Sequence, residues 1–160
     1  MTGFQIPRTR GPTIKDAPDH YDAELLLRLY DLRREPVLRE SRRFLTADFW
    51  PGSAEEVVAL ARPDHPQNAA FRQVTGYWEM AYGMARHGIM NPDYLAEYAG
   101  EGLFIFAKLQ PWLAQLREQT SPRALVNAEW LATQSEMGRT LFGAMRQRVE
   151  QRLGAGRSKA

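Results

Sequence analysis

Hydrophobic positions along this chain recur at helical spacing and nowhere alternate for long enough to make a strand with neighbours. The pattern is densest in Ala69–Ile89, AAFRQVTGYWEMAYGMARHGI. At roughly 100° per residue, Phe71, Val74, Trp78, Ala81, Tyr82, Ala85 and Ile89 fall on one face. Beside them lie Arg72, Glu79 and Arg86, with Gly76, Gly83 and His87 following around the same side. A surface helix carries a broad charged back. Here the charges form only a narrow wedge, which predicts a buried central helix near 68–90. Gly76 and Gly83 each cost about 1 kcal/mol of helix propensity relative to Ala. The expected reason is a second helix crossing closely; the sharper reason is room for a ligand.

The flanking elements follow from their start and stop residues. Asp19 is a good N-cap and opens YDAELLLRLYDLRRE, whose core stripe is Leu25, Leu26, Leu29 and Leu32. Pro36 either kinks that helix or begins a new one at its first position. Thr46–Gly52 reads as a turn anchored by Phe49 and Trp50, and Ser53 with Glu56 fits a capping box opening SAEEVVALA. Asn68, or a residue just before it, is the expected cap of the central helix. Gly88 and Asn91-Pro92 end that helix and open PDYLAEYAGEGLFIFAKLQ, in which Gly100 and Gly102 mark a break or a tight crossing. Pro111 restarts the chain as PWLAQLREQ, Ser121-Pro122 opens PRALVNAEWLA, and Thr133–Ser135 interrupts before EMGRTLFGAMRQRVEQRL. The pattern predicts an all-α, single-domain helical bundle of about five to seven helices, several short or Pro-interrupted. The helical domain is expected over 18–153, with flexible tails at 1–17 and 154–160.

Composition narrows the classes. The chain has 160 residues, 44% hydrophobic and 25% charged, which suits one globular domain. It has no cysteine, so disulfides, thiolate metal sites and a cysteine nucleophile are excluded. No apolar run approaches the roughly 20 residues of a membrane span, and MTGFQIPRTRGPT lacks an apolar core of signal-peptide length. The expectation is a soluble, cytoplasmic protein with no membrane span. Net charge is only +2. Lys15, Lys108 and Lys159 are the lysines, and the other basic residues are arginines. Genome base composition explains that bias more simply than phosphate recognition does.

The segments LLLRLYDLRREPVLRE, FRQVTGYWEMAYGMARHGI, GEGLFIFAKLQPWL and NAEWLA resemble a family of small bacterial all-helical proteins of unknown function. The resemblance spans Asp19 to Leu153. It implies a helical domain and a bacterial source, and it carries no assigned activity, cofactor or catalytic residue. Some members of that family are associated with an N-terminal membrane segment, which this sequence does not show.

Three constellations are candidates for chemistry. Glu79 and His87 stand two helical turns apart, too far to share one ion without help from His20 or His65, so neither a metal nor a cofactor is expected. Arg72, Glu79, Arg86 and His87 together form a candidate ligand-binding wedge. In it an arginine would hold a carboxylate or phosphate and Glu79 or His87 would move a proton. The same residues also fit a buried ion-pair network completed by Glu97, Glu101, Glu129 or Asn127, since charges inside a helical core are nearly always paired. Arg33, Arg34, Arg39, Arg42 and Arg43 invite a nucleic-acid reading, but Asp31, Glu35 and Glu40 dilute them and no interleaved aromatics accompany them. Nucleic acid is therefore ranked third. The first expectation is a non-catalytic interaction protein that binds a partner protein or itself as a homo-oligomer; the alternative is a small enzyme or anionic-ligand-binding protein using the wedge. A sealed wedge with every charge paired favours the first. An open concavity with an unpaired arginine favours the second.

Overall fold

The computed structural model describes residues 13–157. Among them nine α-helices occur in the order α1 His20–Leu32, α2 Pro36–Arg43, α3 Ala54–Leu60, α4 Asn68–Arg86, α5 Pro92–Tyr98, α6 Gly100–Leu109, α7 Leu113–Gln119, α8 Val126–Gln134 and α9 Glu136–Arg157. A π-helical turn, Phe44–Asp48, continues α2, and a 3-10 turn, Gln110–Trp112, joins α6 to α7. No strand occurs among the described residues, and the all-α class is as the periodicity predicts. The helix count exceeds the expected range because long apolar stretches divide. Ala99, at φ −118° and ψ 30°, leaves the helical region and separates α5 from α6. No helix among the described residues is long and apolar enough to cross a membrane.

Local side-chain caps start several of these helices. Asp19 accepts from the backbone N–H groups of Tyr21 and Asp22, while the Asp22 carboxylate accepts from Asp19 N–H. Pro36 takes the first position of α2, and the Glu35 carboxylate caps it through Val37 and Leu38 N–H. Ser53 accepts from Glu56 N–H at α3, but the Glu56 carboxylate reaches Gly52 N–H rather than that of Ser53. Asn91 caps α5 by accepting from Tyr94 N–H. The expected cap of α4 is absent. Gln67 occupies that position without a side-chain bond, and the buried Asn68 amide instead donates to the Leu60 carbonyl at the end of α3, 3.1 Å away.

Of the segments expected as tails, residues 1–12 and 158–160 lie outside the described residues. Lys15 forms an ion pair with the buried Asp22 at 3.0 Å, and its carbonyl accepts from the Asn91 amide at 2.8 Å. Gly154 to Arg157 belong to α9.

The core forms around α4 and α6. α4 buries Phe71, Val74, Tyr77, Trp78, Ala81, Tyr82 and Ala85, which is the predicted apolar face with Tyr77 added and Ile89 left exposed. α6 is more enclosed, with Gly102, Leu103, Ile105, Phe106, Ala107, Lys108 and Leu109 all buried. A Cβ on Gly102 would stand 2.2 Å from the Tyr82 hydroxyl and 2.7 Å from the Trp78 ring, so this glycine makes room for two aromatic side chains of α4 rather than for a close helix crossing. Trp78 stacks on Tyr82 with ring centres 5.6 Å apart, and the Tyr82 hydroxyl donates to the Ala99 carbonyl at 2.5 Å. α9 closes the bundle against α5, α6 and α8.

Lys108 is buried in this core. Its ammonium donates to the carbonyls of Leu45 and Phe49, the latter at 2.6 Å, and lies 4.4 Å from the centre of the Trp50 ring. The ammonium thereby satisfies carbonyls where the π-helical turn ends. Burial, with Arg152 adding to it, lowers the Lys108 pKa from 10.5 to about 8. The unfolded chain therefore binds more protons than the folded one between these values, so stability rises with pH across that window. Urea unfolding at increasing pH should show a gain of about 2 kcal/mol between pH 8 and 10. Above pH 10 the buried Tyr77, pushed up to about 12, opposes it. Lys108→Met should flatten the rise.

Candidate functional site

α8 has no cap of its own. The residue before it, Leu125, sits in the left-handed region at φ 56° and offers no acceptor side chain. Glu79 of α4 supplies what is missing. Its half-buried carboxylate accepts from Asn127 N–H at 3.0 Å and from Ala128 N–H at 2.8 Å. Asn127 answers with its amide, which donates to the Glu79 carbonyl at 2.9 Å, and its side-chain oxygen accepts from Arg86 at 3.1 Å. Burial raises the Glu79 pKa, while the two backbone donors and then Arg86 and Arg117 pull it down. A Cβ on Gly83 would stand 3.0 Å from the Asn127 amide nitrogen, so this glycine does serve a close approach.

The start of α8 corrects the reading of Ser121-Pro122 as a helix opening. Ser121 accepts from Arg123 N–H through its hydroxyl and from Ala124 N–H through its carbonyl, which folds residues 121–125 into a turn. The helix begins only at Val126.

The four residues of the predicted wedge separate. Glu79 and Arg86 meet α8 through Asn127. Arg72 is exposed, with no ion pair or side-chain hydrogen bond among the described residues. His87 is the exposed residue that ends α4 and is not grouped with the others. Of the acids expected to complete a network, Glu101 instead binds Arg42 at 2.7 and 2.5 Å and approaches Arg33 at 3.5 Å. Glu129 pairs with Arg117 at 2.6 Å. The arginine cluster of α1 and α2 is thus partly internal: Arg33 and Arg42 turn toward Glu101, and Arg43 pairs with Glu40 and Asp48. Among the described residues no three His, Asp or Glu side chains are placed to hold a metal.

What the wedge borders is an open groove of about 440 Å³ between α4, the end of α7, the 121–125 turn and the start of α8. Phe71, Leu116, Leu125 and Val126 provide its apolar lining. Gly76 lies on its wall, and a Cβ there would meet nothing within 4 Å. The close crossing expected at Gly76 is therefore absent, because the groove occupies that space. Thr75 and Thr120 turn their hydroxyls back to the carbonyls of Phe71 and Leu116. Asn127 is held by Glu79 and Arg86, and Arg72 and Arg123 are the lining cations without a partner among the described residues. Arg123 escapes a periodicity-based reading, which places it inside a helix rather than on a turn.

Fold and site together define an all-helical protein whose central helix caps a neighbour and borders an apolar, arginine-rimmed groove. The chain belongs to the family described as a domain of unknown function (DUF4760), which matches residues 19–135. The matched span stops before α9, short of the Leu153 expected from the sequence resemblance. No curated protein and no solved structure matches the chain.

Glu79→Ala would leave two amide donors of α8 without acceptors. Urea denaturation should show a loss of about 1–3 kcal/mol, the range of a lost cap combined with buried unsatisfied donors. Unchanged stability would mean that α8 does not depend on this carboxylate.

Proposed function

We propose that this protein binds a small anionic ligand in the groove beside α4, without catalysis, in the cytoplasm of a bacterium. The reading rests on one observation: Arg72, on the groove wall, has no protein partner among the described residues, while Gly76 next to it leaves the wall open. A guanidinium over an apolar surface suits a ligand with one charged end and one apolar end. The groove's volume lies within the usual range of small-molecule sites. The wedge contributes Arg72 and Glu79 to this site; Arg86 acts behind it through Asn127, and His87 has no part.

The dye 1-anilinonaphthalene-8-sulfonate is a suitable probe, being both anionic and aromatic. Its fluorescence should rise on mixing with the folded protein. Arg72→Ala should weaken that binding. Gly76→Leu should block it while leaving the fold intact and adding up to about 1 kcal/mol of helix stability. Dye binding that Gly76→Leu leaves untouched would place the ligand elsewhere.

A second reading, association with a partner protein or a second copy, is favoured by the apolar side chains of Tyr21, Leu27, Tyr30, Leu32 and Val37, exposed on α1 and the start of α2. Light scattering at high concentration should then show a dimer or larger species. A strict monomer counts against self-association.

A further inference from the structure

We infer that the groove selects amphipathic monocarboxylates over dianions, and that Glu79 sets this charge limit. The inference rests on the groove being the binding site. Its charged lining residues are Arg72, Arg123 and Glu79, so two guanidiniums and one carboxylate leave a single net positive charge. Two further guanidiniums lie nearby but do not line the groove. Arg117 pairs with Glu129 and donates to the Ala124 carbonyl, and Arg86 stands behind Asn127, donating to its side-chain oxygen. Glu79 cannot swing away from an incoming anion, because both of its oxygens hold backbone N–H groups of α8. Its charge is therefore a fixed part of the groove wall.

A ligand carrying one negative charge is matched by this arrangement. A carboxylate also fits the planar fork of an arginine in bidentate fashion. A phosphate monoester adds a second charge that faces the immobile Glu79 carboxylate, and the groove lining holds no third cation to balance it. Phe71, Leu116 and Leu125 then take the apolar body, which supplies the affinity that rim arginines in water do not. Glu79 has on this view two separate roles, one toward α8 and one toward the ligand.

Calorimetric titration of the full chain with decanoate and with decyl phosphate tests the selection. Each is used below its micelle concentration at about pH 8, where the phosphate monoester carries nearly two charges. Decanoate should bind on the order of tenfold more tightly, as expected for one unbalanced like-charge contact near a protein surface. Glu79→Gln, checked for folding by circular dichroism, should admit decyl phosphate and erase the preference. Arg123→Gln, on the exposed rim, makes the groove neutral and should weaken decanoate by on the order of tenfold; it serves as the test should Glu79→Gln not fold. Decyl phosphate binding the wild type as tightly as decanoate, with Gly76→Leu still blocking both, overturns the charge limit and leaves the groove reading standing. A preference unchanged in Glu79→Gln, or decanoate binding unchanged in Arg123→Gln, also overturns it. Binding of neither ligand overturns it as well, and a simultaneous failure of the dye to bind removes the groove reading with it.

Discussion

The carboxylate of Glu79, set against the first backbone N–H groups of α8, is the contact on which the arrangement of the C-terminal half depends. The opening N–H groups of any helix lack partners within it and carry a partial positive charge. α8 runs only from Val126 to Gln134, too short to hold itself together in water. Its preceding residue, Leu125, adopts a left-handed conformation that costs a non-glycine residue about 1–2 kcal/mol, and its side chain is buried against the core. α8 is thus stable only where another helix both covers its apolar side and answers its amides. α4 does both. Because Asn127 returns a hydrogen bond to the Glu79 carbonyl, the two helices are fixed in register and rotation as well as in distance. A single cap would leave that rotation loose.

The same device recurs one helix later. Asp93, in the first turn of α5, accepts from Met137 N–H at 3.0 Å and from the Ser135 hydroxyl at 2.6 Å. Ser135 in turn accepts from Gly138 N–H at 2.9 Å. The corner between α8 and α9 is so tight that a Cβ on Gly138 would stand 2.1 Å from the Leu131 carbonyl. Two successive helices therefore begin on carboxylates borrowed from helices earlier in the chain. This explains how α9 can lie across α5, α6 and α8 at once. It also explains why α9 is integral to the structure although the family match ends at Ser135.

Which parts were legible in the sequence follows from where each helix finds its cap. Asp19, Glu35-Pro36, Ser53 and Asn91-Pro92 act on their own helices within a few residues, so residue type and spacing reveal them. α8 is capped from 48 residues away, and nothing local announces it; α9 has its own Ser135 at the start, but the Asp93 carboxylate that joins it comes from 44 residues away. Ser121-Pro122 shows the converse: it carries the local signature of a helix start, yet forms a turn because Glu79 waits at Asn127 and Ala128. Glycines divide the same way. Their low propensity shows that something is unusual at Gly76, Gly83 and Gly102 without saying what. Only packing distinguishes an open wall at Gly76, an amide against Gly83 and two aromatic rings against Gly102. Periodicity picked out Arg72, Glu79, Arg86 and His87 as one cluster, because a helical projection cannot tell the exposed end residues from the half-buried middle.

The cap also decides what kind of groove can exist beside it. A helix N-terminus with free amides attracts anions on its own. Here Glu79 fills that position, so the start of α8 offers no vacant donors to a ligand although it lines the groove. Recognition of charge passes to Arg72 and Arg123, which are exposed and whose contacts are weakened by water and salt. The apolar surface between them must then supply most of the affinity, and a small inorganic anion has nothing to place on it. The contact that orients α8 thereby turns the groove away from simple anions and toward molecules with an apolar body.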